Sequence, residues 1–300
     1  MEEAHSRNPT IVIELSLLLL LATLWGGSYT FIKLGVATIP PITLIAGRTL
    51  IASVLLLFIM YCRGLRLPTD AAAWGRELRS AGVNLDLAPV MDVVPAATAN
   101  QNAPIGALQR EFGHTPQTTG SHGVAFIRGM KQAGVATTAK HFPGLGQVVG
   151  NTDYTSEVVD TTTGPNSPYL QSFRTAVKAG VPFVMIALAT YTRIDPHHLA
   201  AFSSRVMRLL RQQLHFGGVI VSDDLGAAAA VAGLSPANRG IDFLAAGGDL
   251  ITSQSLPAAI AMDQAILARA AGHASFRATV NSAVMRILDA KQAYHLMTCR

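Results

Sequence analysis

The chain has 300 residues, half of them hydrophobic and 14% charged, with a formal net charge of +5. That apolar content excludes a disordered or collagen-like chain, and the length suits one large domain or two small ones. The 23 Lys and Arg residues are scattered with no run of five, so nucleic acid is not the expected partner. Cys62 and Cys299 make neither a disulfide framework nor a CxxC pair.

Residues 11–31 carry one acidic residue, Glu14, in an otherwise apolar run. That is about the 20 residues a bilayer crossing needs. A Pro40–Pro41 break follows, then a second apolar run at 42–61 interrupted by Arg48. The pattern predicts a two-helix transmembrane hairpin. A signal peptide fits less well, because Glu2 and Glu3 precede the run and no small-residue cleavage site leads into a soluble sequence. Arg63, Arg66, Arg76 and Arg79 follow the second run, whereas the loop carries only Lys33. The positive-inside rule then places both termini in the cytoplasm. The stretches LLATLWGGSYTFIKLGV and IPPITLIAGRTLIASVLLL resemble the first two helices of the EamA, or drug/metabolite transporter, family. Trp25, Gly26, Lys33, Pro41 and Arg48 carry that resemblance, which covers residues 1–66. It implies a fragment only, since two helices do not make a path between inverted repeats.

From residue 71 the composition is that of a soluble α/β protein. Short apolar runs at 83–90, 135–140, 181–188, 218–222 and 249–252 read as strands. Segments with helical spacing alternate with them at 117–133, 168–179, 205–214, around 241–246, and through 256–271 and 275–296. Alternation of this kind predicts a parallel sheet buried on both faces. About five βα units leave two choices, an open sheet or an incomplete (β/α)8 barrel. No GxGxxG follows the first strand, which disfavours a dinucleotide fold.

The polar residues that stand out come directly after strands, where barrel enzymes keep their chemistry. Asp92 follows the first, Lys140 and His141 end the second, and Asp223 and Asp224 follow an apolar run. A carboxylate at such a position can attack an anomeric carbon or hold a metal; either aspartate can instead cap the segment after it. Lys140 and His141 offer donors to hydroxyl groups, a phosphate loop and a simple turn being the rival readings. The adjacent His197 and His198 do not have the spacing of a zinc site.

The segments VNLDLAPVMDV, NAPIGALQREFG, FIRGMKQAGVATTAKHFPGLG, TRIDP and GGVIVSDDLG, in this order, resemble family 3 glycoside hydrolases. Among these they look most like bacterial β-N-acetylglucosaminidases of the actinobacterial branch. The resemblance covers about 71–296, within a second domain at 67–300. It implies retaining hydrolysis of terminal GlcNAc in cell-wall fragments, with no metal or organic cofactor. It assigns Asp223 as nucleophile, Lys140 and His141 as the pair that binds sugar hydroxyls, Arg110 as a substrate contact, and Asp92 to the strand lining the same pocket.

Two departures qualify this. Where the family has an Asp-x-His pair whose histidine is the acid/base, this chain has Asn151-Thr152-Asp153, so Asp153 occupies the histidine's place. It can serve as acid/base or merely stabilise the loop. The family also supplies its first barrel strands from residues before VNLDLAPV, where this chain carries the hairpin. Poor or no turnover is therefore expected, and the alternatives are a transporter fragment or a non-functional chimera.

Overall fold

A computed structural model describes residues 15–20, 23, 32–33, 35, 39–63 and 70–297. The chain forms two compact units, Met1–Leu67 and Pro68–Arg300. In the first, helix α1 (Pro41–Cys62) starts directly after Pro40 and has Pro41 in its first turn. A proline is tolerated there because the amide would have no partner anyway. Leu50, Ile51, Leu55, Leu57 and Phe58 are each more than half exposed. Among the described residues no helix is long and apolar enough to cross a membrane. The expected spanning hairpin therefore does not emerge from them. Most of its first segment, 11–31, and the Arg48 side chain lie outside the described residues.

The second unit starts with α2 (Ala71–Ser80), whose N-cap Asp70 accepts the Ala73 N–H at 2.7 Å. It leads into β1 (Leu85–Asp86). Helix α3 (Pro116–Gln132) follows, opened by a capping box between Thr115 and Thr118. Then come β2 (Ala136–Phe142), β3 (Val159–Asp160) and α4 (Gln171–Lys178). After β4 (Phe183–Ile186), β5 (Thr190–Tyr191), β6 (Asp195–Leu199) and α5 (Ser204–Arg208) comes β7 (Val219–Asp224). Helix α6 (Pro236–Ala246), β8 (Leu250–Thr252), α7 (Leu256–Gly272) and α8 (Ala274–Ala293) complete the unit.

Five strands form one parallel sheet in the order β1-β2-β4-β7-β8. Leu85 of β1 and Leu250 of β8 pack against one cluster, with Ala136, Phe183 and Val219. In a flat sheet those edges would lie roughly 19 Å apart, at about 4.8 Å per strand. The sheet is therefore curled into half a barrel, and Ile287, Ala290 and Tyr294 join the same cluster. This settles the choice between open sheet and incomplete barrel in favour of the latter. Among the described residues β1 and β8 are its edges. The 83–90 run is strand only at Leu85–Asp86, with a further bridge from Val90 to Lys140. Pro89, between them, has no N–H to offer a ladder. A small sheet, β3-β5-β6, is an addition the sequence reading did not contain.

The main core lies between the curled sheet and its helices. Phe142 at the end of β2 meets Phe173 of α4 edge to face, with centroids 5.3 Å apart. Such a pair contributes about 0.5–1.5 kcal/mol beyond its buried area. At the opposite end of the strands, the fully buried Asp249 carboxylate accepts from Arg211 (2.5 Å), Arg286 (2.8 Å) and the Ile220 N–H (2.7 Å). This ties α8 to β7 just before β8 begins.

Candidate active site

The C-terminal ends of β2, β7 and β8 open on a cavity of about 300 Å³. Lys140 and His141 enter it from β2 and Asp223 from β7, while the loops contribute Arg110 and Asp153. These residues are dispersed along the chain, and the fold brings all five to one cavity. Asp92 is different. It is fully buried and stands behind His141 rather than in the cavity wall.

Asp92 accepts the His141 backbone N–H (3.1 Å) and the Leu145 N–H (2.7 Å) on Oδ1. Its Oδ2 lies 2.8 Å from His141 Nδ1. An ionised carboxylate only accepts, so the proton sits on Nδ1 and Nε2 is left to face the cavity. There it lies 3.9 Å from Asp223 Oδ2. The glycines of the KHFPGLG loop allow this packing: Gly146 lies so close to the Val93 carbonyl that a side chain has no room.

The two adjacent aspartates of β7 divide the roles left open by the sequence. Asp224 is the capping residue. Its carboxylate accepts from Gly226 N–H (2.8 Å), Gln254 N–H (2.9 Å) and Ala227 N–H (3.1 Å), joining the ends of β7 and β8. Asp223 faces the cavity, with Oδ1 accepting the Asp224 N–H at 2.9 Å and Oδ2 directed at His141.

Burial, and next the nearby Arg110 guanidinium, hold the Lys140 pKa below the ordinary lysine range; Asp223, Asp92 and Asp86 oppose the shift. Partial burial, and then the Asp223 carboxylate, push the Asp153 carboxyl above the usual range, with His141 and Arg110 offsetting part of the effect. Asp153 lies at the rim, on a loop tied to the segment after β7. The Ala230 N–H donates to the Thr152 carbonyl and the Ala229 N–H to the Asp153 carbonyl, both at 3.1 Å. His198 pairs instead with Asp195 (3.1 Å), away from this cavity.

Thr252, Ser253 and Gln254 also line the cavity, and the sequence reading did not single them out. Their signal is their place, directly at the end of β8.

The sequence model of the glycosyl hydrolase family 3 N terminal domain matches residues 67–290. The chain belongs to glycosyl hydrolase family 3. A beta-hexosaminidase from Vibrio cholerae is 35% identical over 176 residues, which is 58% of this chain and 51% of that protein. One from Stenotrophomonas maltophilia is 37% identical over 166 residues, covering 52% and 46%. The chain thus spans about half the length of the curated relatives it matches. The crystal structure of a β-N-acetylhexosaminidase from Beutenbergia cavernae superposes with a TM-score of 0.72 at 45% identity, covering 74% of this chain and 67% of that one. A family 3 β-N-acetylglucosaminidase from a Paenibacillus species gives 0.68 at 28% identity, over 77% and 44%. The model of the EamA-like transporter family matches residues 12–85.

Proposed function

We propose that the Pro68–Arg300 unit is a retaining β-N-acetylhexosaminidase acting on terminal GlcNAc of peptidoglycan fragments, with turnover reduced by its open barrel. The observation that carries this reading is the Asp92–His141–Asp223 line, of which His141 and Asp223 share one sugar-sized cavity with Lys140 and Arg110. The relatives' hexosaminidase names and the family resemblance supply the substrate class.

In this reading Asp223 Oδ2 attacks the anomeric carbon and forms an ester with the sugar. The bond to the leaving oxygen breaks, and Asp153 gives that oxygen its proton. The Asp153 carboxylate then takes a proton from water, the hydroxide portion attacks the anomeric carbon, and the Asp223 ester is released. The raised Asp153 pKa favours the protonated form needed in the first step. Lys140 and Arg110 donate to sugar oxygens, while His141, aimed by Asp92, presents Nε2 as an acceptor to a sugar hydroxyl. Among the described residues no strand joins β8 to β1, which leaves the cavity without the wall that further strands would add.

The full chain in detergent, given 4-nitrophenyl β-N-acetylglucosaminide, is expected to release 4-nitrophenol below the roughly 1–10³ per second typical of enzymes. Asp223→Asn should remove that release. Equal release by both proteins would refute the nucleophile assignment.

The same proposal assigns residues 1–66 to a membrane hairpin, with 67–300 as the hydrolase portion in the cytoplasm. The transporter-like match at 12–85 and the exposed apolar side chains of α1 support the anchor, and the arginines from Arg63 onward support the orientation. Protease added outside intact cells should leave the hydrolase portion uncut; cleavage there would overturn the orientation. The transporter alternative requires substrate uptake by cells making the chain, and the proposal expects none.

A further inference from the structure

Asn102 is 2% exposed and does not line the cavity. Its side chain nevertheless uses every hydrogen-bonding position an amide has. Nδ2 donates to the Leu145 and Val148 carbonyls, both at 2.7 Å. Oδ1 accepts the Ile105 N–H (3.1 Å) and the Gly106 N–H (2.9 Å). Two donors on one side and a doubly accepting oxygen on the other fix the orientation of the amide, and no other side chain of this size offers the same set.

Two pieces of chain meet there. The turn at 102–110 holds Arg110 twice: the Arg110 N–H donates to the Ile105 carbonyl (3.2 Å) and Nη1 to the Pro104 carbonyl (2.7 Å). The segment at 145–149 runs from the Lys140–His141 strand end toward Asp153 and is itself held by the Leu145 N–H on Asp92 (2.7 Å). Besides the two bonds from Asn102, the Ala103 N–H donates to the Val149 carbonyl at 3.2 Å. Bonds thus run from Arg110 through the turn to Asn102, across to Leu145, and on to Asp92 and His141.

We infer that Asn102 is a positioning residue: it sets the separation between Arg110 and the loop that carries Asp153, without touching the substrate. The kinetic consequence rests on the hydrolase reading above; the coupling of the two segments does not. Carboxylate oxygens in place of the amide nitrogen would keep the two accepted bonds and turn both donors into acceptors facing the Leu145 and Val148 carbonyls. A serine would lose the amide's two donors and its Oδ1 acceptor, leaving one short hydroxyl, and would set no carboxylate against those carbonyls.

The test compares the full chain with Asn102→Asp and Asn102→Ser. Amide hydrogen exchange should be at least tenfold faster in 103–110 and 145–153 for Asn102→Asp, and smaller but confined to the same segments for Asn102→Ser. Exchange across 219–224 should stay unchanged. Uniform acceleration over the whole unit, or none in those segments, overturns the coupling. In parallel, the KM for 4-nitrophenyl β-N-acetylglucosaminide, or the Kd for N-acetylglucosamine where turnover is too slow to measure, should rise about tenfold with little change in kcat. On an Arg110→Ala background the same substitution should add less than twofold, because the residue it positions is gone. Full additivity of the two effects overturns the positioning role. If the unmodified chain neither binds nor hydrolyses these sugars, the hydrolase reading fails and the positioning role falls with it, while the exchange data still decide the coupling.

Discussion

His141 directs Nε2 at Asp223 Oδ2, 3.9 Å away, because Nδ1 is held at 2.8 Å by Asp92 on the other side of the ring. The ring therefore sits between one carboxylate that orients it and one that faces the cavity. Replacing Asp92 tests this directly. Asp92→Asn loses a charge-assisted bond of about 1.5–3 kcal/mol. We expect kcat/KM to fall between about tenfold and 150-fold, with Asp223 untouched. Steady-state kinetics beside a thermal melt checks it; a melt shift with unchanged kinetics would show that Asp92 only holds the fold.

The Asp153 carboxyl is raised by partial burial and then by the Asp223 charge. Asp223→Asn removes that charge, so the Asp153 pKa should move down, as followed by carboxyl carbon NMR. An unmoved or rising value contradicts the electrostatic account.

A proton donor also has a substrate signature. Activity should fall as pH rises through the raised Asp153 pKa, since the donor is lost there. Asp153→Asn should remove that alkaline limb. It should reduce kcat/KM for alkyl glycosides by about 10²–10⁴-fold but kcat/KM for 4-nitrophenyl glycosides far less, because nitrophenolate leaves without help; kcat falls for both, since the second step loses its base. Equal losses of kcat/KM on both substrates would argue for a loop-stabilising Asp153.

Lys140 is held below its ordinary range by burial and then by Arg110. A cation with a lowered pKa loses its proton earlier as pH rises, so sugar affinity should decline at a pH below the ordinary lysine range. Arg110→Met removes the repelling charge and should move the Lys140 pKa upward. Titration of the lysine by reductive methylation and NMR reads that shift; a fall would refute it.

Asp249 makes a stability prediction away from the cavity. Asp249→Ala strips the shared partner from Arg211 and Arg286 and an acceptor from Ile220. Breaking a buried ion pair from one side costs about 3–5 kcal/mol. Arg286 is 39% exposed and water regains part of it, so we expect the low end. At about 2–4 °C per kcal/mol for a unit of this size, Tm should fall by about 6–12 °C. A shift under about 2 °C would mean the three groups find other partners.

Much of the second unit is legible in local sequence. Strand and helix periods locate four of the five sheet strands closely, because short apolar runs buried on both faces and alternating with helices leave few other solutions. The 83–90 run reads as more strand than the fold contains, since Pro89 interrupts the ladder. Lys140, His141 and Asp223 stand out because strand ends are marked by the change from apolar to polar residues. The β3-β5-β6 sheet has no such mark: β3 and β5 are two residues each, too short for a period, and the five residues of β6, DPHHL, show no apolar alternation.

The sequence by itself determined the alternation of strands and helices, the polar strand ends and the KHFPGLG and VSDDLG signatures, all of which are local properties of the chain. Only the tertiary structure decided that Asp92 stands behind His141, that Asp224 rather than Asp223 caps the loop, and that Asn102 joins two loops. Those outcomes draw on hydrogen bonds between residues 30 to 53 positions apart, such as Asp224 to Gln254 and Asp92 to His141 and Leu145. Such pairs form when the curled sheet brings its strand ends together and excludes water, and a buried carboxylate or amide must then take whatever partners the packing supplies.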